Sequence, residues 1–360
     1  MENNQNKINK KQEMAFNLNN FLLATSNVFD IFLEDFYKTN KNFLKKNAYI
    51  SIKIGEALGL EQSRLSDLCS LALSYNLGLY HDKEIDYSKL PFNSNEKLNE
   101  LLDIVLLIDD VLKNFDLDDS SLENKEKVKN YIASLESFDE INKEILLAYF
   151  EDYVLWCDIK NDNDIIYYIY SALSDFTKIL KFEELLEFTK YFNTLINENS
   201  NIVHYAQIAS EYYEFEHKDK YIFMLAASLK DIGKIAIKKS IYYKKDELTL
   251  SEKESIKDYP YYTRKVLNNI QGFNDISSLA YKVQERLDAE GYSLGLDAKD
   301  ISFKDRILQI VSVFDSLKSN KSFRSALSND EAYEVLEQLC IEGYLDKTIV
   351  DQLISVLKTL

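Results

Sequence analysis

Histidine is scarce in this 360-residue chain, which has only three: His81, His204 and His217. Eight glycines and two prolines leave few positions for tight turns, so the sequence predicts mostly α-helices with short connections. No apolar run approaches the roughly 20 residues that a membrane span requires, and the chain does not start with an apolar signal segment. These absences argue against membrane insertion, and we expect a cytoplasmic protein.

Cysteine is also rare, and acidic residues outnumber basic ones. Cys69, Cys157 and Cys340 are odd in number and widely spaced, which predicts buried thiols rather than a disulfide framework or a metal site. The 43 basic and 60 acidic residues give a net charge of −17, which argues against binding to a nucleic-acid polymer or an anionic membrane. A chain of this length can bury a large core and is expected to form two domains.

One stretch, AASLKDIGKIAI from Ala226 to Ile237, combines a buried helix with charge. The segment before Lys230 is almost wholly apolar, which predicts a helix buried on most sides. Lys230 and Asp231 then follow directly, and adjacent buried charges are costly unless they are paired or used. We expect Gly233 to let the backbone turn sharply at this point. The stretch is therefore the first place to look for a functional site.

The sequence resembles the HD-GYP branch of the HD phosphohydrolases, whose central motif reads His-Asp-Ile-Gly-Lys where this chain has Lys-Asp-Ile-Gly-Lys. Residues 284–293, QERLDAEGYS, resemble that family's substrate loop, and residues 306–327 resemble the helix and Arg-Pro-Tyr-Arg segment that follow it. The resemblance covers roughly residues 198–360. It implies an all-α fold and a metal-dependent cyclic di-GMP phosphodiesterase, which hydrolyses its substrate at histidine- and carboxylate-bound metal ions.

Similar patterns in the two halves of the chain predict an internal duplication. ALSYNLG at residues 72–78 parallels ASLKDIG at 227–233, each after an apolar helix. We therefore predict two consecutive HD-like helical bundles, the second of HD-GYP type. The predicted boundaries are a disordered tail at 1–14, a truncated degenerate HD-like domain at 15–160, connecting helices at 161–195 and a degenerate HD-GYP-like domain at 196–360. Ser251 with Glu254, and Ser328 with Glu331, predict capping boxes at two helix starts.

The resemblance allows each expected metal ligand to be located in this sequence. In the second bundle the positions fall on Glu198, Lys230, Asp231, Tyr259, Val283, Gln284 and Ser312. In the first bundle they fall on Phe43, Tyr75, Asn76 and Asp109. None of the three histidines falls on such a position. Because imidazole is the ligand on which the family's centre depends, we expect no metal and no other cofactor.

Two interpretations of the relic site (Lys230, Asp231 and Glu198) remain open. The Lys230–Asp231 pair could be a salt-bridged core, or the pocket could still hold an anionic ligand. The resemblance predicts ligand binding at Lys234, Glu285, Arg286, Asp288, Gly291, Tyr292 and Arg324. The basic run of Lys238, Lys239, Lys244 and Lys245 is either a solvated face or part of a binding surface.

The leading hypothesis is a catalytically degenerate HD-GYP-like protein, a signalling adaptor or sensor that acts through protein contacts and through cyclic dinucleotide binding. A first alternative is an active phosphodiesterase with a rebuilt site of Glu198, Asp231 and Glu285, which would use iron, manganese or zinc. A second alternative is a pure protein-interaction module. The sequence names neither a protein partner nor an oligomeric state, although it leaves a homodimer open.

Overall fold

The computed structural model describes residues 12–93, 98–197, 199–320 and 324–357. Helices dominate these ranges, as predicted. The described strands form one two-stranded sheet of short segments, β1 (Glu13–Phe16) and β2 (Lys178–Lys181). Strand β1 starts inside the segment predicted as a tail, of which residues 1–11 lie outside the described ranges. Over the described part of the chain, no helix is both long enough and apolar enough to cross a bilayer.

The chain divides into two compact units, which we call the N-terminal unit (Asn17–Lys178) and the C-terminal unit (residues up to Phe16 and from Ile179 onward). The predicted connecting segment, 161–195, is shared between them. The helix Asp162–Ala172 lies in the N-terminal unit, and Phe182–Thr194 lies in the C-terminal unit.

The N-terminal unit is built around one central helix, α2. Its helices are α1 (Leu18–Tyr37), α2 (Phe43–Ala57), α3 (Gln62–Ser74), α4 (Leu98–Asn114), α5 (Leu122–Ser134), α6 (Glu140–Glu151), α7 (Tyr153–Asp158) and α8 (Asp162–Ala172). Helix α2 packs against α1, α3, α4 and α8. Every residue from Phe43 to Ile52 is buried. The first turns of α2 therefore face the protein interior on all sides. It is followed by Gly59 at φ +69°, the left-handed conformation in which glycine commonly ends a helix.

The C-terminal unit has a similar arrangement around α11. Its helices are α9 (Phe182–Thr194), α10 (Ile202–Tyr212), α11 (His217–Leu229), α12 (Lys239–Tyr242), α13 (Leu250–Ile256), α14 (Tyr259–Asn268), α15 (Asn274–Ala280), α16 (Phe303–Lys318), α17 (Asn329–Ile341) and α18 (Lys347–Leu357). Helix α11 packs against α9, α10, α15 and α16. All residues from Ile222 to Leu229 are buried, which confirms the buried helix predicted before Lys230.

The structure confirms one of three local predictions and corrects the other two. The capping box of Ser328 and Glu331 is present at the start of α17. The other box was placed two residues too late, because Thr249 and Glu252 form it at the start of α13. The prediction of three buried thiols was also wrong in part. Cys69 is buried and Cys340 is half-buried, but Cys157 is exposed.

Candidate functional site

The candidate site begins where α11 ends. Helix α11 stops at Leu229, and Lys230 and Asp231 lie between it and a short 3-10 helix, Ile232–Ala236. Both side chains are buried. Thr263 of α14 fixes this corner, because its hydroxyl donates to the Lys230 carbonyl at 3.0 Å and accepts from the Gly233 amide at 3.1 Å. The two charged side chains are therefore held on a rigid backbone.

Gly233 is needed at this corner for space, not for an unusual backbone angle. Its φ is not positive, so the turn predicted to need a glycine's conformational freedom does not use it. A Cβ atom on Gly233 would lie 2.0 Å from the carbonyl oxygen of Tyr259 and 2.5 Å from the amide nitrogen of Thr263. The glycine thus lets the 3-10 helix pack directly on the backbone of α14.

Asp231 is paired on both carboxylate oxygens. The Lys230 ammonium donates to Oδ2 at 2.6 Å, and the Asn197 side chain donates to the same oxygen at 3.4 Å. The Lys234 ammonium lies 2.9 Å from Oδ1, within ion-pair distance but without the alignment of a hydrogen bond. Burial alone would raise the pKa of Asp231, but the two ammonium groups outweigh it and hold the pKa well below its ordinary value.

A second buried carboxylate, Asp315 of α16, adds to this charge cluster. It accepts from the Ser200 hydroxyl at 2.9 Å and from the Asn201 amide at 2.7 Å. Burial raises the pKa of Asp315, against the opposing effects of Lys230 and of these hydrogen bonds. Lys230, Lys234, Asp231 and Asp315 are the relic cluster: two cations that balance two carboxylates.

Tyrosine side chains surround the relic cluster. Tyr259 is the residue to which the resemblance maps an expected histidine. Its buried hydroxyl makes no hydrogen bond of standard geometry to the described residues, although the Gln284 side chain lies beside it. The Tyr292 hydroxyl donates to Oε1 of Gln284 at 2.9 Å. Burial, with Asp231 adding to it, raises the pKa of Tyr242 and of Tyr292 to about 12 and that of Tyr259 well above its ordinary value. Three neutral phenols thus surround the Asp231 carboxylate, and the resemblance predicts an imidazole at the position of one of them, Tyr259.

Residues 284–296, which we call the substrate-like loop, are held together by hydrogen bonds within the segment. Glu285 accepts from the backbone amides of Leu294 and Leu296, at 2.8 Å for each oxygen. Gly291 packs so closely on this carboxylate's backbone that a Cβ atom would lie 2.5 Å from Cα of Glu285. Asp288 accepts from the Glu290 amide at 3.0 Å. These bonds close the loop on itself.

The cations predicted to meet a ligand also have internal partners. The Arg286 guanidinium lies 3.2 Å from the ring centroid of Tyr344 and pairs with Asp288. Arg324 donates to the last carbonyls of α16, at 2.7 Å to Ser316 and 3.1 Å to Leu317. Lys234 forms an ion pair with Asp231. The ligand-binding roles of these residues remain predictions.

The structure brings together some predicted residues and adds others. It joins Lys230, Asp231 and Lys234, whereas Glu198 lies outside the described residues. Sequence reasoning missed Asp315 and Thr263. A signal for Asp315 was available, because it is a lone carboxylate in the apolar run from Ile307 to Leu317. Within the described ranges, no group of three or more histidine, cysteine, aspartate or glutamate side chains is arranged to hold a metal ion.

The N-terminal unit contains a comparable buried carboxylate. Asp109 accepts from the Asn76 side chain at 2.7 Å, and its Oδ2 forms an ion pair with the Lys113 ammonium at 2.5 Å. Tyr75 lies near it, and burial followed by the Asp109 charge raises the pKa of Tyr75. Phe43 is fully buried. Of the four residues to which the expected ligands map, two are aromatic, and the other two, Asn76 and Asp109, are hydrogen-bonded to each other.

The chain is similar to a family of HD domains and to two curated phosphodiesterases. The HD domain family matches residues 183–349. A 3'3'-cGAMP-specific phosphodiesterase 3 of Vibrio cholerae is 30% identical over 113 residues, which is 31% of this chain and 25% of that protein. The cyclic di-GMP phosphodiesterase response regulator RpfG of Xanthomonas campestris is 33% identical over 135 residues, 37% of this chain and 36% of that protein. The matches thus span about a quarter to a third of these relatives' lengths.

A solved structure shares the fold over nearly the whole chain. The crystal structure of a cyclic GMP-AMP specific phosphodiesterase of V. cholerae, V-cGAP3, superposes with a TM-score of 0.55 at 15% identity. The likeness covers 96% of this chain and 99% of that one. At this identity the likeness concerns the fold, and it extends over both units.

Proposed function

Because the chain belongs to the HD-GYP branch of the HD superfamily, we propose that it is a catalytically degenerate member, a signalling adaptor or sensor that binds a cyclic dinucleotide without hydrolysing it. The observation that carries this proposal is the placement of the Lys230 ammonium 2.6 Å from Asp231. A fixed cation stands against the carboxylate that would otherwise ligate a metal.

The described side chains do not fit the family's metal centre. A metal ligand must offer a lone pair, and the ammonium groups of Lys230 and Lys234 offer none. Asp231 is already neutralised by both of them. Glu285, which the phosphodiesterase alternative requires, has each carboxylate oxygen bonded to a backbone amide. The donor chemistry therefore supports a protein that does not use metal-activated water.

The ligand class is proposed from the relatives. Their names state that they act on 3'3'-cGAMP or on cyclic di-GMP. A chain that keeps this scaffold while replacing its ligating side chains retains a shape that such a ligand could enter. Signal output would then pass through contacts with a protein partner, since binding without turnover changes only the population of bound protein.

The test combines metal analysis, hydrolysis and binding on the full chain. Protein expressed with added manganese or iron would be analysed for bound metal and incubated with cyclic di-GMP and 3'3'-cGAMP, with products followed by chromatography. We expect substoichiometric metal, no linear dinucleotide product, and heat of binding for at least one of the two ligands in calorimetry.

A clear result would overturn the proposal. Turnover that requires metal, is lost in Asp231→Ala and persists in the control Asp300→Ala would establish the phosphodiesterase alternative. Asp300 is an exposed residue outside the relic cluster, so its substitution controls for loss of one negative charge. Absence of any heat of binding would instead favour the pure interaction module.

A further inference from the structure

A polar cleft lies in the C-terminal unit between the start of α10 and the end of α16. It is open to solvent, has a volume of about 350 Å³ and is lined by Asn199, Ser200, Asn201, Lys318, Ser319 and Asn320. This volume is near the lower end of the range for small-molecule sites. The lining consists of carboxamides, hydroxyls and one ammonium. It therefore suits a compact ligand with hydrogen-bonding edges and disfavours an apolar one.

The hydroxyl groups of the cleft are already engaged. The Ser200 hydroxyl donates to Asp315, and the Ser319 hydroxyl donates to the carbonyls of Asn199 and Asp315 at 2.9 and 2.7 Å. These bonds tie the segment from Asn199 to Asn201 to the end of α16. The cleft is therefore walled by two elements that hold each other in place.

The carboxamides and the ammonium keep free hydrogen-bonding capacity. The Asn199 side chain makes no hydrogen bond with the described residues. Asn201 does not cap α10; its side chain lies beside the Tyr205 hydroxyl, which leaves its carbonyl oxygen to accept. Asn320 accepts from the Ala326 amide through Oδ1 at 2.8 Å, which leaves its NH₂ group to donate. Lys318 donates to the Leu327 carbonyl at 2.9 Å and has two further N–H groups.

We propose that this cleft binds one purine nucleotide of a cyclic dinucleotide. The inference rests on the proposed function, because it states where that ligand binds. A carboxamide presents a donor and an acceptor side by side, which matches the edge of a purine base. Asn199 and Asn201 would read that edge, and Lys318 would meet the phosphate as a point charge.

The position of the cleft favours it over the relic cluster as the ligand site. In the relic cluster, Lys230 and Lys234 both pair with Asp231. Lys318, by contrast, forms no ion pair with the described residues: it donates to the Leu327 carbonyl and acts on the Glu331 carboxylate only through its charge. Asn201 also holds Asp315 through its backbone amide at 2.7 Å. A ligand bound to Asn201 would therefore contact the same residue whose backbone amide holds Asp315 of the relic cluster.

Calorimetric titration of cyclic di-GMP and 3'3'-cGAMP into the full chain tests the inference. The cleft variants are Asn199→Asp, Asn201→Ala and Lys318→Met, and Lys253→Met, at an exposed lysine on α13, is the charge-matched control. We expect the cleft variants to bind about tenfold more weakly, the loss of one good hydrogen bond. The control should bind like the wild type, and Asn199→Asp and Asn201→Ala should keep the wild-type unfolding midpoint.

Three results would overturn the inference. These are no binding by the wild type, wild-type affinity in the cleft variants, or weakening by Lys234→Met with no weakening by the cleft variants. The last result would place the ligand at the relic cluster and leave the proposed function standing. Hydrolysis of a ligand whose affinity depends on the cleft would do the reverse: it would remove the proposed function and support the cleft.

Discussion

The Nζ atom of Lys230 lies 2.6 Å from Oδ2 of Asp231, and both side chains are only 6% exposed. Two neighbouring residues thus neutralise each other inside the C-terminal unit. In the N-terminal unit, Lys113 lies 2.5 Å from Asp109. In each unit a lysine of the chain itself stands against a buried carboxylate. A buried charge that loses such a partner is strongly destabilising, whereas the complete pair contributes little net stability.

Replacing Lys230 with methionine should destabilise the C-terminal unit by about 3 kcal/mol. The substitution keeps the length of the side chain but leaves Oδ2 of Asp231 with only the Asn197 contact at 3.4 Å. Lys234 remains on Oδ1, which keeps the loss at the lower end of the range for broken buried pairs. Urea unfolding followed by circular dichroism would measure the change.

The double variant Lys230→Met/Asp231→Asn supplies the matched comparison, because it removes both charges of the pair. We expect it to be more stable than Lys230→Met alone. Lys253→Met, at an exposed site, should unfold like the wild type. Equal stability of Lys230→Met and the wild type would show that the ion pair does not hold this corner together.

A methyl group at Gly233 should be more damaging than one at Gly55. At Gly233 the added Cβ would lie 2.0 Å from the Tyr259 carbonyl oxygen, and backbone cannot move aside cheaply. At Gly55 the closest atom is a side-chain methyl of Leu65, at 2.6 Å, which can rotate away. We expect Gly233→Ala to cost about 3 kcal/mol or more and Gly55→Ala clearly less. Thermal unfolding of the two variants compares them, and a smaller effect at Gly233 would contradict the close packing described.

Much of the fold follows from local sequence patterns. The apolar run before Lys230 predicted a helix that the structure contains, because the apolar pattern of a buried helix is a property of a short segment. The capping box predicted at Ser251 was misplaced because Thr249 and Ser251 both precede a glutamate by three residues. Only the packing of the segment decides which one begins α13. The predicted internal duplication remains a prediction.

The candidate site was less accessible from sequence. The pairing of Lys230 with Asp231 could be inferred, since adjacent buried charges need partners. The contact of Lys234 with the same carboxylate and the approach of Thr263 depend on how the 3-10 helix packs on α14. The part played by Asp315 depends on where α16 crosses the start of α10. Contacts between segments so distant in sequence leave no periodic signal.

The Glu285 carboxylate should hold the substrate-like loop closed. Glutamine at this position offers one carbonyl oxygen where the carboxylate accepts from two backbone amides, at Leu294 and Leu296. Its NH₂ group would face an amide N–H, so one hydrogen bond is lost and two donors meet. We expect Glu285→Gln to cost about 1–3 kcal/mol locally. The amides of Leu294 and Leu296 should exchange hydrogen faster than in the wild type, as measured by mass spectrometry.

The neighbouring residue Glu290 gives the control for that experiment. Its side chain is exposed and lies in the same loop. Glu290→Gln therefore changes the charge equally but keeps the hydrogen bonds of Glu285. Exchange at Leu294 and Leu296 should then match the wild type. Unchanged exchange in Glu285→Gln would mean that other contacts hold the loop closed.

Alkaline pH should weaken the C-terminal unit through the tyrosines around Asp231. Burial, and then the Asp231 charge, raise the pKa of Tyr292 to about 12. Because the pKa in the unfolded chain is about 10, the folded state holds this proton more tightly. The resulting stabilisation is fully present below about pH 10 and is lost as the pH rises toward 12. Stability measured by urea unfolding should therefore fall across this interval.

Tyr292→Phe isolates this contribution from other alkaline effects. Phenylalanine keeps the ring but cannot ionise, and it loses the hydrogen bond to Gln284 at 2.9 Å. The variant should be slightly less stable at pH 8 and should lose less stability than the wild type between pH 10 and 12. Tyr261→Phe, at an exposed tyrosine of α14, should keep the full wild-type dependence. If Tyr292→Phe and the wild type lose stability in parallel, the phenol of Tyr292 ionises as easily in the folded protein as in the unfolded chain, and the Asp231 charge does not reach it.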